Sequence, residues 1–217
     1  MKKSLQEKLI KMAQKRQIKT DPSHDFQHVW RVFNLAMQIG KSVKADLDVI
    51  IPAVLFHDTV VYRKDHPNSK NETDESAEVA GKILVKISEY PKKKIELVKV
   101  CIRQCSFTKG IKPDLLESKV LQDADLLEST GAISIMRTFS SCGHMNRAFY
   151  NLKHPFFKKD EINFKSGVGL FYRRLLVAEN RMHTKLAKQI AKRRTAFLKK
   201  FLSELKIELK ESKVITR

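Results

Sequence analysis

The sequence is poor in the residues that interrupt helices, with 7 Gly and 6 Pro among 217 residues. That scarcity argues against a β-rich fold with its many tight turns, and an apolar fraction of 42% argues against disorder. No run of about 18 apolar residues occurs, which excludes an ordinary membrane-spanning helix. Cysteine is scarce too: Cys101, Cys105 and Cys142 make an odd number without a CxxC pair. Neither a disulfide framework nor a structural zinc site is expected. No apolar segment follows Met1-Lys2-Lys3 in the manner of a signal peptide, so a reducing cytoplasm is the expected compartment. Acidic residues fall well short of basic ones, 24 against 43, leaving a net charge of +19. Such an excess suits anionic partners, whether nucleotides, nucleic acid or lipid, and equally suits a solvated Lys-rich surface.

What is present is helical periodicity. Leu5, Leu9, Met12 and Ala13 mark a leading helix over residues 4–16, and His28, Val32, Leu35, Ala36 and Ile39 trace the inner face of a second, closed by Gly40. A third is expected from Asp48 to Asp58, capped by Asp48 and with Pro52 in or near its first turn. A polar loop over 62–74 precedes a helix over 75–88, and two more are expected over 92–106 and 117–139. Residues 140–167 read as turn-prone. From Gly169 towards Leu209 an amphipathic pattern places Leu175, Met182, Leu186, Ile190, Phe197, Phe201 and Leu205 inward, completing an all-α bundle expected to form a single domain over 1–217.

Polar residues on these apolar faces carry the chemistry. His57 and Asp58 end an apolar run that ought to finish in solvated side chains, so both need a partner, which a divalent metal would supply through imidazole nitrogen and carboxylate oxygen. His28 lies on an apolar face, and Asp125 lies between Leu121 and Leu126-Leu127. A buried carboxylate there requires a metal or a basic side chain.

The order His28, then His57-Asp58, then Asp125 in a helical chain resembles the HD-domain superfamily of metal-dependent phosphohydrolases. Ser23-His24-Asp25-Phe26-Gln27-His28-Val29-Trp30-Arg31-Val32 is similar to the opening motif of a bacterial and archaeal branch that includes nucleotide pyrophosphatases. Ala53-Val54-Leu55-Phe56-His57-Asp58, Asp74-Glu75-Ser76-Ala77-Glu78, Leu121-Gln122-Asp123-Ala124-Asp125 and Gly131-Ala132-Ile133-Ser134-Ile135-Met136-Arg137-Thr138-Phe139 are similar as well. The likeness covers roughly residues 20–205, with the leading helix and the basic late helices packed on it. Two departures stand out: Cys105-Ser106 replaces an expected His-Ser pair, and Leu126 follows Asp125 where the branch commonly has Arg.

The resemblance implies a helical bundle of the HD type with His28, His57, Asp58 and Asp125 as metal ligands. It implies one divalent ion (Mn²⁺, Fe²⁺, Co²⁺, Ni²⁺ or Mg²⁺), the nitrogen ligands favouring a transition metal. A metal-activated water would attack phosphorus in a small anionic substrate, a nucleotide or related phosphate ester or anhydride, with Asp58 or Asp25 handling the proton. Arg31, one turn after His28, has a guanidinium suited to two phosphate oxygens. His24 is a further candidate substrate contact; Ser23 or Asp25 also suits a helix cap. Phe171-Tyr172-Arg173-Arg174-Leu175-Leu176 resembles the branch's Phe-Tyr-Glu-Lys-Leu-Leu stretch, which carries Tyr172 and Arg174 over as substrate contacts. Two other readings remain open: a phosphodiesterase for RNA ends or cyclic nucleotides, guided by Lys192, Arg193, Arg194, Lys199 and Lys200, and a non-catalytic metal-binding scaffold docking nucleic acid or protein. Oligomeric state is not legible.

Overall fold

The structure is a computed structural model that describes residues 1–16, 25–62, 66–156 and 166–215. Among the described residues there are helices and no strands, as the low Gly and Pro content anticipates. The chain separates into two compact units, Met1–Leu126 and Leu127–Arg217.

The first unit is organised around α3 (Leu47–Phe56), whose residues from Val49 to Phe56 are all buried. A helix apolar on every side has to be surrounded, and α3 packs against α1 (Lys3–Lys15), α2 (Phe26–Ser42), α4 (Glu72–Val85) and α5 (Ile95–Arg103). Asp46, rather than Asp48, caps α3 by accepting from the Asp48 amide at 2.9 Å. Pro52 therefore falls well inside the helix and not in its first turn. Lacking an N–H, it leaves the carbonyl of Asp48 without its helical donor, and the Tyr90 hydroxyl donates to that oxygen at 2.8 Å. Gly40 does not close α2, which continues to Ser42. It is instead a point of close packing, since a Cβ there would meet Ile50 Cδ1 at 2.9 Å.

The helix expected over 117–139 is two helices, α6 (Leu116–Leu127) and α7 (Gly131–His144). Gly131 adopts φ +71°, a left-handed conformation that ends one helix before the next begins. α6 is pinned within the first unit by the Glu117 carboxylate, which accepts from the Asp46 amide at 2.8 Å, and by Gln122 Nε2, which donates to the Gln104 carbonyl at 3.1 Å.

In the second unit, α7 and α9 (Lys185–Glu211) pack together, with α8 (Gly167–Leu170) running directly into a π-helical turn, Phe171–Leu175. Its core gathers Val168, Phe171, Leu175, Leu198 and Leu202, with Phe171 stacked on Phe201 at 5.5 Å between ring centroids. The inward face of α9 differs from the expected one. Ala187, Ala191, Thr195, Leu198 and Leu202 are buried, whereas Phe197 is 47% exposed. Close helix packing selects small residues for the contact line, so a reading weighted by large apolar side chains picks the flank instead.

Candidate metal centre

Three elements of the first unit each deliver a polar side chain to one point. Asp25 caps α2, its Oδ1 accepting from the His28 amide at 3.0 Å, which fixes the first turn and with it the His28 side chain, wholly buried. His57 directly follows α3 and is 2% exposed. Its Nδ1 lies 2.7 Å from the Val54 carbonyl oxygen. A carbonyl oxygen only accepts, so Nδ1 carries the hydrogen, and in the neutral ring Nε2 keeps its lone pair. That Nε2 is buried and makes no hydrogen bond among the described residues. Asp125 comes from α6, one turn beyond the anchoring Gln122.

One ligand atom from each of His28, His57 and Asp125 lies within 4.8 Å of the others. Asp58 Oδ2 stands 3.4 Å from His28 Nε2 and 3.5 Å from His57 Nε2, while Asp125 Oδ1 is 3.5 Å from His28 Nε2. Donor atoms bound at about 2.1 Å to a common ion lie about 3.0–3.4 Å apart, so these three pairs are close to the spacing a shared divalent cation requires, while His28, His57 and Asp125 as a set lie within 4.8 Å. Both carboxylates keep partial exposure, 23% for Asp58 and 32% for Asp125. Two neutral imidazoles and two carboxylates give a site of net charge −2 facing solvent on one side, a fit for a divalent ion with open positions. The residues present therefore fit the implied metal.

The segment after Asp58 is tied to α4 by Ser76, Glu72 and Glu75, to none of which the sequence assigned a role. Ser76 Oγ accepts from the Val60 amide at 3.0 Å, Glu72 accepts from the Tyr62 amide at 2.6 Å, and the Tyr62 hydroxyl donates to Glu75 at 2.7 Å. Glu75 beside it pushes the Tyr62 phenol upward. These anchors hold the chain as it leaves α3; Glu75 and Ser76 lie in the motif Asp74-Glu75-Ser76-Ala77-Glu78, whereas Glu72 carried no signal. Cys105 is buried after α5, and burial pushes its thiol well up, with the carboxylates of Asp125 and Asp58 adding to the effect. A neutral thiol thus borders the acidic side of the cluster.

Asp25 is engaged as the α2 cap. Arg31 is half-buried and lines a shallow groove with Gln14, Phe26, Gln27 and Trp30. His24 lies outside the described residues. Tyr172 and Arg174 belong to the second unit, on its π-helical turn, Tyr172 half-buried and Arg174 exposed. Among the described residues no helix is long and apolar enough to cross a membrane.

Comparison with known proteins matches residues 25–130 to the HD domain family. The uncharacterized protein YpgQ of Bacillus subtilis is 28% identical over 207 residues, covering 88% of each chain. An HD-superfamily hydrolase from Bacillus thuringiensis is similar in structure, with TM-score 0.71 and 26% identity over 98% of this chain and 99% of that one. The crystal structure of YpgQ in complex with ADP superposes with TM-score 0.71 at 24% identity, over 94% of this chain and 95% of that one, a likeness of fold. The matched segment runs from the Asp25 cap past Asp125 and so contains every side chain of the cluster; over residues 25–130 the chain is similar to the HD domain family.

Proposed function

We propose that this chain is a metal-dependent phosphohydrolase acting on a nucleotide or a related phosphate ester or anhydride. The observation that carries the reading is His57 Nε2, a buried lone pair without a hydrogen bond among the described residues, close to the His28 imidazole and two carboxylates. Similarity to an HD-superfamily hydrolase supports hydrolysis as the reaction class. The ADP bound by YpgQ, a protein of the same fold, supports a nucleotide as the ligand class, and the net charge of +19 favours an anionic substrate.

His28, His57, Asp58 and Asp125 would hold the ion. When bound, it would lower the pKa of a water and offset charge on the phosphoryl oxygens. The chain's own groups do the rest. The Val54 carbonyl keeps the His57 hydrogen on Nδ1, leaving Nε2 as a ligand throughout the reaction. Asp58, partly open to solvent, is the group to take the proton from the attacking water; Asp25 is the lesser candidate because one of its oxygens is committed to the α2 cap. Arg31 is assigned to phosphate oxygens by its place one turn after His28, and Tyr172 and Arg174 are assigned as substrate contacts on the resemblance alone.

The test is hydrolysis of a panel of nucleoside triphosphates by protein supplied with Mn²⁺, Co²⁺ or Ni²⁺, with the product identified. The reading expects release of phosphate or pyrophosphate from at least one member, reduced at least about 100-fold in His57→Ala and Asp125→Ala. Turnover of cyclic nucleotides or RNA ends alone would favour a phosphodiesterase. Failure of every substrate with every metal would leave a metal-binding scaffold.

A further inference from the structure

Helix α9 of the second unit presents a cationic face with no ion-pair partner among the described residues. Between Lys185 and Lys200 there are seven Lys or Arg residues and no Asp or Glu. One of the seven, Arg194, belongs to the fold: it is half-buried, and its Nη1 donates to the Leu127 carbonyl at 2.9 Å. The remaining six, Lys185, Lys188, Lys192, Arg193, Lys199 and Lys200, are exposed, and none forms an ion pair among the described residues. In the first unit, by contrast, surface cations are commonly matched: Lys94 meets Asp46 and Asp48, and Lys99 and Arg103 both meet Glu78 and Glu96.

Helical geometry gathers these charges. At about 100° per residue, Lys185, Lys188, Lys192 and Lys199 fall within about 60° of one another, with Arg193 and Lys200 along one flank. The strip runs about 22 Å at 1.5 Å per residue. Phe197, 47% exposed, stands on the flank occupied by Arg193 four residues before it and Lys200 three after it. An exposed aromatic beside a cationic track is the combination that holds an unpaired strand, with phosphates on the charges and a base on the ring. A lipid surface fits less well. The apolar side of α9 is already buried through Ala187, Ala191, Leu198 and Leu202, so the helix has no broad apolar face left to enter a bilayer.

We propose that α9 docks single-stranded nucleic acid, its backbone along Lys185, Arg193 and Lys200 and a base stacked on Phe197, which lies on the same side of the helix as these three. The residues of this site belong to the second unit and the candidate metal ligands to the first.

The experiment is fluorescence anisotropy of the full chain with labelled 20-nucleotide oligouridine RNA or oligothymidine DNA at 50 and 200 mM salt; the two arms separate RNA from DNA. Three or four phosphate contacts predict a roughly 20- to 50-fold loss of affinity between those salt concentrations. Lys185→Glu/Arg193→Glu/Lys200→Glu should weaken binding at least about tenfold and flatten the salt dependence, and the corresponding triple Gln variant should do so by a smaller factor. Phe197→Ala should cost about fivefold with the salt dependence unchanged. Lys82→Glu/Lys86→Glu/Lys93→Glu makes the same change in net charge at exposed positions of the first unit and should retain most of the affinity. The proposal is overturned if neither strand binds at 50 mM salt, if the first-unit triple loses as much as the α9 triple, or if phosphatidylserine vesicles bind through the α9 lysines while both strands do not.

Discussion

At His57 a single backbone contact decides which ring nitrogen is available. The Val54 carbonyl fixes the hydrogen on Nδ1, and Nε2 is buried with no hydrogen bond among the described residues. Burial governs the cysteines as well. Cys101, Cys105 and Cys142 are all buried and free, and burial pushes the Cys101 thiol up to about 12. A thiol that is inaccessible and remains protonated reacts slowly. The folded protein at pH 8 should therefore show no rapidly titrating thiol with a disulfide reagent, and three after denaturation. Rapid modification of one thiol in the folded state would contradict the burial. At this scale the sequence was informative about His28, since helical periodicity places it on an inner face. Periodicity was silent about the approach of Asp58 to both imidazoles, which the resemblance implied, because His57 and Asp58 follow the last residue of α3 and no period extends past a helix end.

Within elements, α3 and its neighbours explain how an apolar helix tolerates an internal proline. Tyr90, fully buried, contributes one hydroxyl to the carbonyl that Pro52 leaves unmatched. Tyr90→Phe should lower stability by about 1–2 kcal/mol in urea unfolding, the cost of a buried acceptor without a donor; no change would mean that another group replaces the hydroxyl. Beside it, Lys94 donates to Asp48 at 2.7 Å and to Asp46 at 3.0 Å, and the ammonium of Lys94 holds the Asp48 carboxyl below its ordinary value of 3.8. A carboxyl lowered in the folded state stabilises fully above its unfolded pKa, and the contribution disappears as pH falls through the folded pKa. Lys94→Met should thus destabilise at pH 7 and reduce the further loss seen on acidification below about pH 4, as followed by thermal unfolding. An unaltered acid dependence would show that the pair contributes nothing. Element boundaries were the least legible part of the fold. A reader of sequence cannot see that Gly131 takes φ +71° and divides α6 from α7, whereas Gly40, read as a stop, serves as a close helix contact. Phe197 was misplaced for the same kind of reason, because hydrophobic size predicts burial only when the contact line has room for it.

For the whole molecule, the helical class was legible from what is missing, few Gly and Pro and no strand-like alternation, together with apolar spacing of three and four. The site was legible as a set only because four polar residues interrupt apolar faces in a fixed order; convergence depends on helix packing, which has no local signature. What the folded first unit adds is spacing: 3.4–3.5 Å between neighbouring ligand atoms, drawn from α2, the end of α3 and α6. The most direct measurement of the central claim is metal binding by isothermal titration of chelator-treated protein with Mn²⁺ and Ni²⁺. The account predicts one ion bound per chain in the unmodified protein, with affinity reduced at least about 100-fold in His57→Ala and in Asp125→Ala while both variants remain helical by circular dichroism. Absence of binding by the unmodified protein, or undiminished binding by a folded His57→Ala variant, would contradict it.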